Sequence, residues 1–273
     1  MIEFLKYLLM GFLQGIAEVL PISSSGHLAI ASSILGIGDD NLAFEVFLHM
    51  ASLIAVIAFL FKPICKLVKG TFIYIFKKDK TYEYDFKYIL KLIVSTIPIV
   101  AFTVAIKLLG YDTSPIYAIG ICLIINAIMI FVLSNIKHNN ESKEINFKDA
   151  ICIGLFQCAG IFPGISRSGS SLCGAFARKI DKEEAANYAF MLFIPAVIGA
   201  FILELDNITT IFTIDSASIA CYLAAFLVSM FTTYFAFKIL LNIIRKGKLS
   251  YFSIYCVIVG ILAIIYSACN SWI

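Results

Sequence analysis

Charge is what this chain has least of. Acidic and basic residues fill only 14% of its 273 positions, against about 25% in an ordinary globular domain. With 61% apolar residues and a mean hydropathy of +0.95, a soluble fold is excluded, because too little polar surface remains to cover it. Metal cages lack their ligands as well. The three histidines stand far apart in sequence, and the eight cysteines lie scattered without CxxC or Cys/His spacing. They read as small buried apolar residues, so neither disulfide nor structural zinc is expected. No Walker A or Rossmann glycine pattern occurs, which removes those nucleotide-binding classes. Met1 to Met10 carry Glu3 and Lys6 without the cleavage pattern of a removable signal, so they are expected to belong to the fold. What is present is a series of apolar runs of membrane-spanning length, about 20 residues each. The ten-residue alternation of a membrane barrel is missing. The expected class is an all-α polytopic integral membrane protein, one domain over residues 1–273.

In chain order, residues 2 to 20 predict a helix ending before Pro21, which disfavours helix at the preceding residue. A break is expected at Ser23 to Gly26, then a short helix from His27 to Gly36. Ten residues are too few to span, so the pair reads as a re-entrant helix, loop, helix. Full spans are predicted at 42–62, 86–110 and 115–136. A second re-entrant unit follows: 147–162, a break at Pro163 to Gly169, and 170–179. Spans at 185–205, 217–243 and 250–270 complete the chain.

The two breaks repeat each other at an offset of 143, with Gln14, Ile22, Ser23, Ser25 and Gly26 meeting Gln157, Ile165, Ser166, Ser168 and Gly169. Repeat 1 covers about 1–136 and repeat 2 about 147–273. Three spans separate the breaks, so the units enter from opposite faces as an inverted-topology repeat. Basic residues gather on one face, with Lys62, Lys66, Lys69, Lys77, Lys78 and Lys80 the densest run. That face is expected to be cytoplasmic, with the run a solvated loop and both termini outside.

Polar groups at membrane depth cost roughly 2.5–3.5 kcal/mol each unless paired or wetted, which makes them functional candidates. Gln14 and Glu18, at i and i+4, share a helix face, and His27 begins the return helix. Arg167 stands in the matching break where the first copy has Ser24. Helix N-termini and a guanidinium fork favour an anion, above all phosphate. Glu18, His27 and a neighbouring serine add a proton acceptor and a nucleophile, which transport alone would not demand. A site enclosed by membrane helices favours a lipid phosphate or diphosphate. The competing reading is a transporter or flippase of an anionic lipid, since broken helices in inverted repeats also build transporters. His49 reads as a hydrogen-bonded helix histidine ahead of a cavity-lining one.

These residues resemble the undecaprenyl-diphosphatase family linked with bacitracin resistance. Its (Glu/Gln)-x-x-x-Glu motif stands as Gln14 to Glu18, its Pro-x-Ser-Ser-(Ser/Thr)-Gly-His as Pro21 to His27, and its Pro-Gly-x-Ser-Arg-Ser as Pro163 to Ser168. The resemblance covers essentially the full length. It implies hydrolysis of undecaprenyl diphosphate to the monophosphate carrier of peptidoglycan synthesis, at the bacterial cytoplasmic membrane, aided by Mg²⁺ or Ca²⁺. The expected catalytic residues are Glu18, Ser24, His27 and Arg167, with Glu18 also the metal ligand. Gln14, Ser23, Ser25, Gly26, Gly164, Ser166, Ser168 and Ser171 are expected to bind substrate. Gln14 stands where Glu is frequent in the family, and Ser171 where Thr is frequent. The expected partners are the polyprenyl diphosphate and the bilayer, with no nucleic acid. The acid-phosphatase-like lipid phosphatases are excluded, because Cys173 and Ala177 fall where their signature needs His and Asp.

Overall fold

A computed structural model describes residues 1–37, 42–110, 114–136, 144–203 and 216–270. Eleven α-helices run through the described residues: α1 Ile2–Val19, α2 Ser24–Leu35, α3 Leu42–Phe59, α4 Phe61–Lys77, α5 Glu83–Leu108, α6 Ile116–Ser134, α7 Phe147–Gln157, α8 Arg167–Ala177, α9 Lys182–Leu203, α10 Ser216–Arg245 and α11 Ser250–Asn270. Five of them (α5, α6, α9, α10 and α11) are each long and apolar enough to cross a membrane, and α3 with α4 makes a sixth candidate bent by 75°. The protein is an all-α polytopic membrane protein. Asp39, Asp40, Asp112, Glu204, Asp206 and Asp215 lie outside the described residues, as do Lys137 and Lys143.

Each short helix has a local cause. Leu20 is extended before Pro21, which ends α1. Ser23 and Ser166, matched at the 143-residue offset, are both N-caps: their hydroxyls accept the N–H of Gly26 and of Gly169. The caps narrow the expected breaks, so Ser24, Ser25 and Gly26 already form the first turn of α2, and Arg167 opens α8. Asn146 and Asp149 form a reciprocal capping box at the start of α7, which gives way to a 3₁₀ turn at Cys158–Ile161 before the second break.

The basic run expected to be a loop is the helix α4. Leu60, between α3 and α4, carries the bend, and the chain turns aside instead of ending in solvent.

The helices interlock in reciprocal fashion. α1 of the first unit packs along α10 of the second half, and α7 of the second unit packs along α5 of the first half. Small residues let the backbones close up: Gly11 lies against Ala225, and Gly154 against Ser95. Across α6 and α11, a Cβ on either Gly120 or Gly260 would meet the other's carbonyl oxygen at 2.7 Å. The apolar core centres on α8 and α9, where Phe176, Tyr188 and Phe190 pack with Phe237.

Candidate active site

The two breaks touch. The Gly164 N–H donates to Ser23 Oγ at 3.1 Å, and Ser168 Oγ donates to the Glu18 carbonyl at 3.2 Å. Gly164 sits at φ +101°, in a region that suits glycine. A Cβ on Gly26 would meet Gly164 Cα at 2.9 Å, so the crossing needs a glycine there too. Asn126, fully buried on α6, ties the breaks a second time. Its Nδ2 donates to Pro21 O at 3.0 Å, and its Oδ1 accepts the Ser166 N–H at 3.1 Å.

At the crossing lies Glu18, 6% exposed. Its Oε2 accepts from Ser24 Oγ at 2.5 Å and from Gln14 Nε2 at 2.8 Å. His49 of α3 approaches the same oxygen with Nε2 at 3.2 Å. Its other nitrogen, Nδ1, lies 2.7 Å from the Glu45 carbonyl, which only accepts, so Nδ1 carries a proton. His49 thus bridges the backbone of its own helix and the Glu18 carboxylate.

A small cavity of about 20 Å³ is lined by Glu18, Ser24, Ser25, His49, Arg167 and Ser168, among others. Ser25, His49, Gly160 and Arg167 also line a larger cavity of about 290 Å³ between α3, α5 and α9. Away from Arg167 its wall is mainly apolar, with Ile99, Val100, Ile161, Val197 and Leu203, and Glu45 is its further carboxyl group. The half-buried Arg167 has no carboxylate within 4.0 Å among the described residues.

The expected site residues therefore divide. Glu18, Ser23, Ser24, Ser25, Ser166, Arg167 and Ser168 converge, while Gly26 and Gly164 form the crossing itself. Gln14 is buried behind Glu18 and holds it. Ser171 donates to the Arg167 carbonyl on its own helix and does not reach the cavity. His27 also turns away. Its ring bonds the Ser23 carbonyl at 2.8 Å and Tyr255 Oη at 2.9 Å, and stacks on Tyr255, so the imidazole beside Glu18 is that of His49. The expectation that His49 is hydrogen-bonded within its helix holds, and it lines both cavities besides. Asn126, Glu45 and Tyr255 drew no notice in sequence. Their signal was a polar group inside an apolar span, which marks importance without giving a partner.

Among the described residues no cluster of three or more His, Cys, Asp or Glu forms a metal cage. A hard cation needs fewer protein ligands when the substrate brings phosphate oxygens. Glu18, with hydroxyls around it, fits that kind of site.

A fold of apolar helices with two broken units crossed at mid-molecule, and a guanidinium near a buried carboxylate, hydroxyls and an apolar cavity, defines a polytopic membrane protein with a polar site suited to an amphiphilic anion. The chain belongs to the bacitracin resistance protein BacA family, whose model matches residues 7–262. It is 37% identical over 265 residues to an undecaprenyl-diphosphatase of Oceanobacillus iheyensis, covering 95% of each chain. Undecaprenyl-diphosphatase 2 of Bacillus thuringiensis is 35% identical, with 96% of this chain and 97% of that one covered. An undecaprenyl-diphosphatase of Methanosphaera stadtmanae is 35% identical over 283 residues, with 98% and 99% covered.

Proposed function

We propose that the protein hydrolyses undecaprenyl diphosphate to undecaprenyl phosphate and inorganic phosphate, returning the carrier lipid to peptidoglycan synthesis and conferring bacitracin resistance. The observation that carries this is the meeting of Ser24, Glu18 and His49 beside Arg167, which has no carboxylate within 4.0 Å among the described residues, at the polar end of an apolar cavity. The diphosphate lies on Arg167, whose fork takes two oxygens, and at the N-termini of α2 and α8, whose dipoles favour negative charge. The cavity between α3, α5 and α9 takes the first isoprenyl units.

Ser24 Oγ attacks the terminal phosphorus as its proton passes to Glu18 Oε2, the acceptor it already faces. The bond from that phosphorus to the bridging oxygen breaks, and undecaprenyl phosphate leaves with the electron pair. A water then hydrolyses the phosphoserine, releasing inorganic phosphate and restoring the hydroxyl. Arg167 stabilises charge on the phosphoryl oxygens, and His49 holds Glu18 in place. His27 fixes the turn that carries Ser24, through Ser23 and Tyr255. A divalent cation held by Glu18 and the substrate would neutralise part of the diphosphate charge. The setting is the bacterial cytoplasmic membrane, with both termini outside and the two repeats inverted. The reciprocal packing of α1 on α10 and α7 on α5 supports that symmetry.

Phosphate release by purified protein in detergent, from C55 and shorter isoprenyl diphosphates with and without chelator, tests the assignment. Release that needs an isoprenyl chain and falls with chelation is expected. Lipid movement across vesicles with no phosphate released in detergent would establish the flippase instead, because transport needs two compartments.

A further inference from the structure

The helix α4 divides into three sectors around its axis. Ile64, Leu67, Gly70 and Tyr74 face the protein: the first two pack on the core, Gly70 lies against Asp85, and Tyr74 stacks on Phe86 with ring centroids 4.8 Å apart. Phe61, Cys65, Val68, Phe72 and Phe76 recur at helical spacing on an exposed face, with Ile75 beside them. Phe72 is 56% exposed and Phe76 is 76% exposed. Each of Lys62, Lys66, Lys69 and Lys77 follows one of these apolar residues directly in sequence, which sets a lysine stripe about 100° further round. All four lysines are exposed.

A spanning helix facing lipid all along one side would not carry a continuous lysine stripe beside that side. A loop in water would not present four exposed aromatic or branched residues in register. The two stripes together fit a helix lying along the membrane surface, apolar side in the acyl region and ammonium groups reaching up to the headgroups. The 75° bend after α3 supplies the change of direction.

We infer that α4 is an interfacial helix whose lysine stripe binds the anionic phospholipid headgroups of the surrounding bilayer, and so fixes the depth of the α3–α5 wall of the cavity. Charge complementarity selects the occupant. Four lysines in one sector repel a second basic copy of the same face, and each attracts anionic lipid at the surface.

The test uses the full chain with Phe72→Trp and Trp272→Phe, which leaves one indole in the apolar stripe, reconstituted in vesicles of phosphatidylcholine and phosphatidylglycerol. Fluorescence is quenched by lipids brominated at shallow or deep acyl positions, on one headgroup or the other. The expected result is stronger quenching from the shallow label, and roughly two-fold stronger quenching by the glycerol lipid than by the choline lipid. The preference should vanish when Lys62, Lys66, Lys69 and Lys77 are all changed to Gln, and persist when all are changed to Arg. Quenching only by the deep label would make α4 part of a span. Protection from both lipids would mean that protein covers the face. Equal quenching by the two headgroups in the lysine form would remove the anion site. Each of these outcomes overturns the inference.

Discussion

Arg167 lines both cavities with no carboxylate within 4.0 Å among the described residues, and the proposed reaction uses its guanidinium to hold the diphosphate. Arg167→Lys keeps the charge and loses the fork. Phosphate release should fall by roughly 10² or more, about 2.7 kcal/mol, with thermal stability unchanged. A structural arginine would have lost stability instead. Ser24 and His49 give a second residue-level prediction. Ser24→Ala should abolish turnover, leaving substrate affinity nearly intact. His49→Ala should lower turnover by roughly 10²-fold, and His49→Gln, which can still donate to Glu18, should recover part of it. Near-normal release by Ser24→Ala would point to direct attack by water. The motif residues Glu18, Ser24 and Arg167 were legible because ionisable and hydroxyl groups stand out in apolar sequence. The direction of His27 was not. It lies three residues from Ser24 on the same short helix, yet Tyr255, 228 positions away, decides where its ring points.

Elements differ in what betrays them. The caps of α2 and α8 were visible as Ser-x-x-Gly breaks matched at the 143-residue offset, and five of the expected spans match helices of spanning length to within a few residues, the sixth being the bent α3–α4 pair. The helix α4 was hidden because lysine density suggested solvent, although Phe61, Cys65, Val68, Phe72 and Phe76 kept helical period all along. Asn126 shows the opposite case, a single polar residue of α6 whose work is to hold two other elements together. Asn126→Leu preserves the size and removes both bonds, leaving Pro21 O and the Ser166 N–H without that partner in a buried place. At about 1–3 kcal/mol for each bared group, the protein should lose about 2–6 kcal/mol of stability. Turnover should fall as well, since Arg167 directly follows Ser166 and Ser24 lies three residues beyond Pro21. Differential scanning in detergent together with phosphate release measures both. An unchanged melting temperature would mean that the crossing at Gly26 and Gly164 suffices alone.

At the scale of the whole molecule, the crossing count ties the site to the two sides of the membrane. In the proposed topology neither re-entrant unit crosses, and six spans relate the termini: α5, α6, α9, α10, α11 and, through its α3 arm, the bent α3–α4 pair. An even number places them on one side. On that count three spans lie between the units, and the proposal has α1 with α2 and α7 with α8 enter from opposite faces, which agrees with the close approach of Gly26 and Gly164. Charge then selects the hand. In this scheme Lys80, after α4, and Arg245, ending α10, fall on the face reached after an odd number of spans, and the positive-inside rule proposes that basic face as the cytoplasmic one. A cysteine-free background carrying either Glu3→Cys or Lys80→Cys tests the whole scheme, since both positions are exposed. In intact cells an impermeant maleimide should label the first and reach the second only after the membrane is opened. The reverse pattern would invert the protein. Labelling of both in intact cells would break the even count, and with it the opposed entry of the two units that lets one site draw Glu18 from one half and Arg167 from the other.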